Sequence, residues 1–135
     1  MDILTATNKQ QLFIYSGNSN LGLQGLGYIR NTNFNIRTIN INKDTLNDII
    51  WLKIAASLGL ELDELFSKEH LPSELAGESH FLVKDSLDLL RQYPNILQQP
   101  IAINGVVAQQ IVDITQLLGF FGSGTTIAKE ENQVS

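Results

Sequence analysis

Two short apolar runs, 101–103 (Ile-Ala-Ile) and 106–108 (Val-Val-Ala), are separated by Asn104-Gly105. Asn-Gly between strand-like runs is the strongest short-range hairpin signal a sequence carries, because both residues tolerate the positive φ that a tight hairpin turn requires. The pair predicts two antiparallel strands in the last third of the chain, and every other element must be arranged around them.

The 135 residues include no cysteine. Disulfides, thiolate nucleophiles and cysteine-type zinc sites are therefore excluded, and the fold must rest on burial alone. The length suits one domain with a sizeable core. A net charge of −5, with only nine Lys and Arg in the whole chain, argues against binding nucleic acid by phosphate neutralisation, which needs clustered cations. The first ten residues lack the basic and apolar regions of a signal peptide, and no run reaches the roughly 18 apolar residues of a membrane span. A soluble cytoplasmic protein is the expectation.

Residues 12–15 (Leu-Phe-Ile-Tyr) form a short apolar run closed by Gly17 and read as a buried strand. A helix is expected over 21–30, with Leu23, Leu26 and Ile29 at helical spacing. Gly22, Gly25 and Gly27 each cost it about 1 kcal/mol relative to Ala, so packing must hold it. Residues 36–41 alternate as a half-exposed strand, and Asp44 or Thr45 can cap a helix running to about Leu58, with Gly59 as its C-terminal stop. Trp51 within it is most simply core. A short helix over 62–66, an irregular stretch over 70–80 and a helix over 84–92 ended by Pro94 follow. After the hairpin, 111–121 reads as a closing helix. Residues 1–10 are expected to be an N-terminal extension, 11–121 the domain, and 122–135 a flexible polar tail. The order β-α-β-α-α-α-β-β-α, a βαβ unit followed by a hairpin and a closing helix, is that of an α/β thioredoxin-like (glutaredoxin-like) fold: a mixed sheet of about four strands with a helical insertion.

Within that frame, four stretches carry a family resemblance: 13–16 (Phe-Ile-Tyr-Ser); Leu58-Gly59-Leu60 followed by Leu65-Phe66-Ser67-Lys68; 93–101, with its two prolines Pro94 and Pro100; and the Asn104-Gly105 hairpin. In this order and spacing the chain resembles the ArsC-type arsenate reductases and their Spx-like relatives, over most of its length. The resemblance implies a catalytic cysteine in the loop after the first strand, at or beside Ser19 or Asn20. It implies arginines at Ser67, at Gln99 and within 109–112, and a cis proline at Pro100 bordering the site. This chain has none of those thiol or guanidinium groups. Planar guanidinium groups bind an oxyanion in bidentate fashion and hold a nearby thiol as thiolate, so both halves of the reductase chemistry are missing. The resemblance therefore implies a pseudoenzyme, a fold retained for binding or regulation.

Other chemistries are weighed against ordinary structural roles. Ser16 or Ser19 as a nucleophile would need an adjacent base, and the two histidines, His70 and His80, lie in the irregular insertion; helix capping is the simpler role. The glycines in 17–27 follow neither a dinucleotide-binding nor a P-loop pattern, so a tight strand-to-helix turn is expected there. Glu69, His70, Glu74, Glu78 and His80 lack metal-site spacing and read as solvated surface. No cofactor or metal is expected. Phe120 and Phe121 either pack back onto the sheet or form an exposed patch. Three functions remain: a binding or regulatory module with an unknown protein partner; an enzyme or small-molecule binder using a polar, uncharged pocket built from Ser16, Asn18, Ser19, Asn20, Gln24, Ser67 and Gln99; or, as the Spx-like resemblance implies, regulation through RNA polymerase.

Overall fold

The computed structural model describes residues 11–121, apart from 33, 76, 79 and 106; the expected N-terminal extension and C-terminal tail lie outside them. Strand β1 (Gln11–Tyr15) is followed by α1 (Asn20–Arg30), β2 (Arg37–Asn40) and α2 (Asp48–Leu58). Three single 3₁₀ turns, Leu62–Leu65, Lys68–His70 and Ser73–Leu75, lead into α3 (Val83–Gln92), and a fourth, Pro94–Ile96, leads into β3 (Ile101–Asn104), β4 (Val107–Gln110) and α4 (Ile114–Phe120). The sheet order is β2-β1-β3-β4. β1 runs parallel to β2 and antiparallel to β3, and β3 is antiparallel to β4. This is the thioredoxin-like α/β arrangement that the order of apolar runs predicts, with a four-stranded mixed sheet.

Side-chain alternation divides the core between the two sheet faces. Leu12 and Ile14 of β1, with Ile101 and Ile103 of β3, face Ile50, Trp51 and Ile54 of α2, Leu87 and Leu90 of α3, and Leu62, Leu65 and Ile96 of the 3₁₀ turns. Phe13, Tyr15 and Ala102 face the other way, onto Leu26 and Ile29 of α1 and Leu117 and Phe121 at α4. The central strand is consequently buried along its whole length, which is why 12–15 is continuously apolar while the edge strand β2 alternates. Phe121 packs back onto the sheet, fully buried, with Phe120 edge-on to it at 5.2 Å.

Several boundaries differ from the sequence expectation for identifiable reasons. α2 begins at Asp48 behind an Asn47 cap rather than at Asp44 or Thr45. Residues 40–44 are already folded as a turn, in which the Asn40 carbonyl accepts from the N–H groups of both Lys43 and Asp44. The 62–66 segment is a 3₁₀ turn, and α4 starts at Ile114. Ile111 instead donates to the Pro100 carbonyl, and Asp113 caps α4 reciprocally with Gln116. In the hairpin, Asn104 is the last residue of β3, paired with Val107, and Gly105 (φ 69°) opens the loop. The Asn104 side chain accepts from Gln11 and donates to the Phe120 carbonyl, joining β1, β3 and α4. Among the described residues, no helix is long and apolar enough to cross a membrane.

Candidate functional site

The C-terminal end of β1, the N-terminus of α1, the second 3₁₀ turn and the loop before β3 surround a cleft of about 430 Å³. Ser16 forms its inner wall, Asn18 and Ser19 the α1 side, Ser67 and His70 the insertion side, and Asn95, Leu97 and Gln98 the side towards β3. Each position has a local cause. Ser16 follows the last residue of β1 and is 4% exposed. Ser19 caps α1, its Oγ accepting from the Gly22 N–H at 2.9 Å, the ordinary role of a serine before a helix. Ser67 and His70 bracket the second 3₁₀ turn, whose position is fixed by the Ser67 N–H on the Ile96 carbonyl and the Gln98 N–H on the Leu65 carbonyl.

A carboxamide network organises the inner wall. Asn40 Oδ1 accepts from Gly17 N–H (3.1 Å) and Asn42 N–H (3.0 Å). Asn42 Oδ1 accepts from Gly17 N–H at 2.7 Å and from the Ser16 hydroxyl at 2.8 Å. That leaves Asn42 Nδ2 to donate to Asn95 Oδ1 at 2.9 Å, and the Ser16 hydroxyl also reaches that oxygen at 3.0 Å. One serine proton is thus shared between two amide oxygens. Ser16 is a donor to neutral amide oxygens, and among the described residues no base bonds to it; a hydroxyl in that setting is not an activated nucleophile.

The only imidazole in the cleft wall is His70, whose Nδ1 lies 2.9 Å from Ser67 Oγ. The irregular sequence around His70 gave no sign that it would stand at the cleft. Among the described residues no carboxylate reaches its ring, so the pair lacks the orienting group of a catalytic triad. His80 lies elsewhere, 3.7 Å from Asp63. Asp63 is itself buried and accepts from the Phe81 N–H. Among the described residues, no three His, Asp or Glu side chains gather as a metal site.

The residues singled out from sequence are therefore divided. Ser16, Asn18, Ser19 and Ser67 share the cleft; Asn20 and Gln24 are exposed on α1, and the cleft is lined by Gln98 where the sequence pointed to Gln99. Pro100 is buried at the start of β3. Asn40, Asn42, Asn95 and His70 complete the site.

No family model and no curated protein matches the sequence. Solved structures do. An arsenate reductase from Vibrio cholerae superposes with a TM-score of 0.67 at 18% identity, covering 82% of this chain and 96% of that one. A possible arsenate reductase from Streptococcus mutans gives 0.63 at 16% identity, over 83% and 99%. An arsenate reductase (ArsC) related protein from Brucella melitensis gives 0.56 at 10% identity, over 83% and 94%. Likeness at these identities establishes architecture: this cysteine-free chain has the thioredoxin-like fold of the arsenate reductase structures.

Proposed function

We propose that this chain is a redox-inactive binding protein on the ArsC-type fold, whose cleft beside β1 takes a small uncharged polar ligand. The observation that carries the reading is the composition of the cleft wall. Hydroxyls, carboxamides, one imidazole and one leucine line it, and none of these is a thiol or a permanent cation. An oxyanion would meet no guanidinium there, and the chain has no thiol to reduce it. The open volume, within the several-hundred-Å³ range of small-molecule sites, favours a ligand over a filled, purely structural remnant. The cytoplasm is the site of action in this reading, on the family resemblance. Amide chemical-shift mapping with neutral polar fragments on one side, and phosphate and arsenate on the other, tests it. Saturable shifts at residues 16–19, 67, 70 and 95–98 are expected with neutral fragments only; saturation by the anions alone contradicts it.

A second reading, a protein partner, is favoured by a different surface. Leu75, Phe81 and Leu89 floor a groove of about 250 Å³ rimmed by Asp85 and Asp88, and the adjoining Leu82 is 75% exposed. Asp88 is ion-paired with Arg91, whereas Asp85 has no partner among the described residues. An apolar floor with an acidic rim complements a partner segment bearing an apolar side chain beside Lys or Arg. Affinity purification from the native cells should recover a protein with the wild-type chain that Asp85→Lys loses. Equal recovery by both contradicts this reading.

A further inference from the structure

We infer that the ligand class of the cleft is a neutral polyol, such as a monosaccharide or cyclitol; this rests on the small-ligand reading above and narrows it. The argument follows the hydrogen-bonding capacity left over once the internal network is satisfied. Because Asn42 Oδ1 is committed to Gly17 N–H, Asn42 must present Nδ2 to Asn95. Asn95 Oδ1 is then occupied by Asn42 and Ser16, which leaves the Asn95 Nδ2 protons as donors for the cleft. Ser19 Oγ accepts from Gly22 and keeps its hydroxyl proton and a second lone pair for the cleft. Asn18 and Gln98, both exposed at the cleft wall, have side-chain amides with no partner among the described residues, and each supplies one acceptor and one donor group.

The Ser67–His70 pair adds an adaptable group. With the Ser67 hydroxyl donating to an unprotonated Nδ1, Nε2 carries the ring proton and donates; with the other tautomer, Nδ1 donates to Ser67 and Nε2 accepts. Such a wall matches a ligand whose every polar group both donates and accepts, which is the property of a hydroxyl. A carboxylate or phosphate would find no Lys or Arg on the cleft wall to compensate its charge. A nucleobase needs a flat apolar or aromatic platform, whereas the cleft offers Leu97 as its one apolar side chain.

The test is an amide chemical-shift titration of the full chain with D-glucose, myo-inositol, acetamide, adenine and inorganic phosphate as separate probes. The expected result is saturable movement at residues 16–19, 67, 70 and 95–98 with glucose or inositol. Asn18→Ala and Gln98→Ala replace exposed side chains and leave the fold intact; each should weaken that binding about three- to tenfold, the loss of one hydrogen bond. Binding of acetamide or adenine at these residues without the polyols overturns the polyol assignment and leaves the neutral-ligand reading standing. Binding of phosphate alone, or of no probe, overturns both. Polyol binding unchanged in both variants also overturns the assignment, since the leftover amides would then not be its contacts.

Discussion

At the scale of single residues, three positions show where local preference and tertiary contact disagree. A Cβ built on Gly25 would stand 2.5 Å from Phe13 Cζ and 2.9 Å from Leu117 Cδ1, whereas one on Gly27 meets nothing within 4 Å. Both neighbours of Gly25 are fully buried and have little room to retreat. Gly25→Ala should therefore lower stability by about 1–3 kcal/mol through overpacking, while Gly27→Ala should raise it by about 0.5–1 kcal/mol through helix propensity. Urea unfolding of the two variants reads both signs. Ser86, in the middle of α3, carries a fully buried hydroxyl without a partner in the described structure. Ser86→Ala removes that desolvated group and improves helix propensity, so a gain of about 1 kcal/mol is expected in the same measurement.

The sequence displayed the glycines of α1 as a cost without showing which were compensated, because the compensation comes from Phe13 and Leu117, twelve and ninety-two positions away. The same limit applied to the cleft. Ser16 and Ser19 were legible because they follow a strand and precede a helix, and Ser67 through the family resemblance. Asn42 and Asn95 were not, since asparagines in loops are commonplace and their pairing spans 53 positions.

Among the elements, α4 has the clearest pH response. Asp113 caps it by accepting from the Thr115 N–H and the Thr115 hydroxyl, both at 2.8 Å. The backbone bond first, and the hydroxyl second, hold the Asp113 carboxyl below its ordinary value of 3.8. A carboxyl depressed in the folded state contributes stability above its unfolded pKa and loses it as pH falls through the folded value. Asp113→Ala should therefore be less stable than wild type near neutral pH, and the difference should shrink as pH drops below 3.8, vanishing once the carboxyl is protonated in both states. Thermal unfolding across that range measures it; a difference that persists in acid would place the cap's contribution outside the carboxylate. The element order was readable from apolar periodicity and the Asn-Gly signal. The first turn of α2 was not, because residues 40–44 are drawn into a turn by the Asn40 carbonyl while the Asn40 and Asn42 side chains hold Gly17, an arrangement that serves the cleft.

Across the whole molecule, a thioredoxin-like sheet keeps its two-faced core while the position implied for a thiol and its arginines holds serines and carboxamides. These groups bond one another through Asn40, Asn42, Asn95 and Ser16 and leave their remaining donors and acceptors towards an uncharged cleft. With no cysteine in its sequence, the chain has no thiol of its own with which to reduce arsenate or a disulfide. The most direct measurement is arsenate-dependent NADPH oxidation by the purified protein, coupled in turn to the glutaredoxin–glutathione and thioredoxin systems. The predicted rate equals that of the mixture without the protein. A protein-dependent rate that saturates with arsenate would contradict the account.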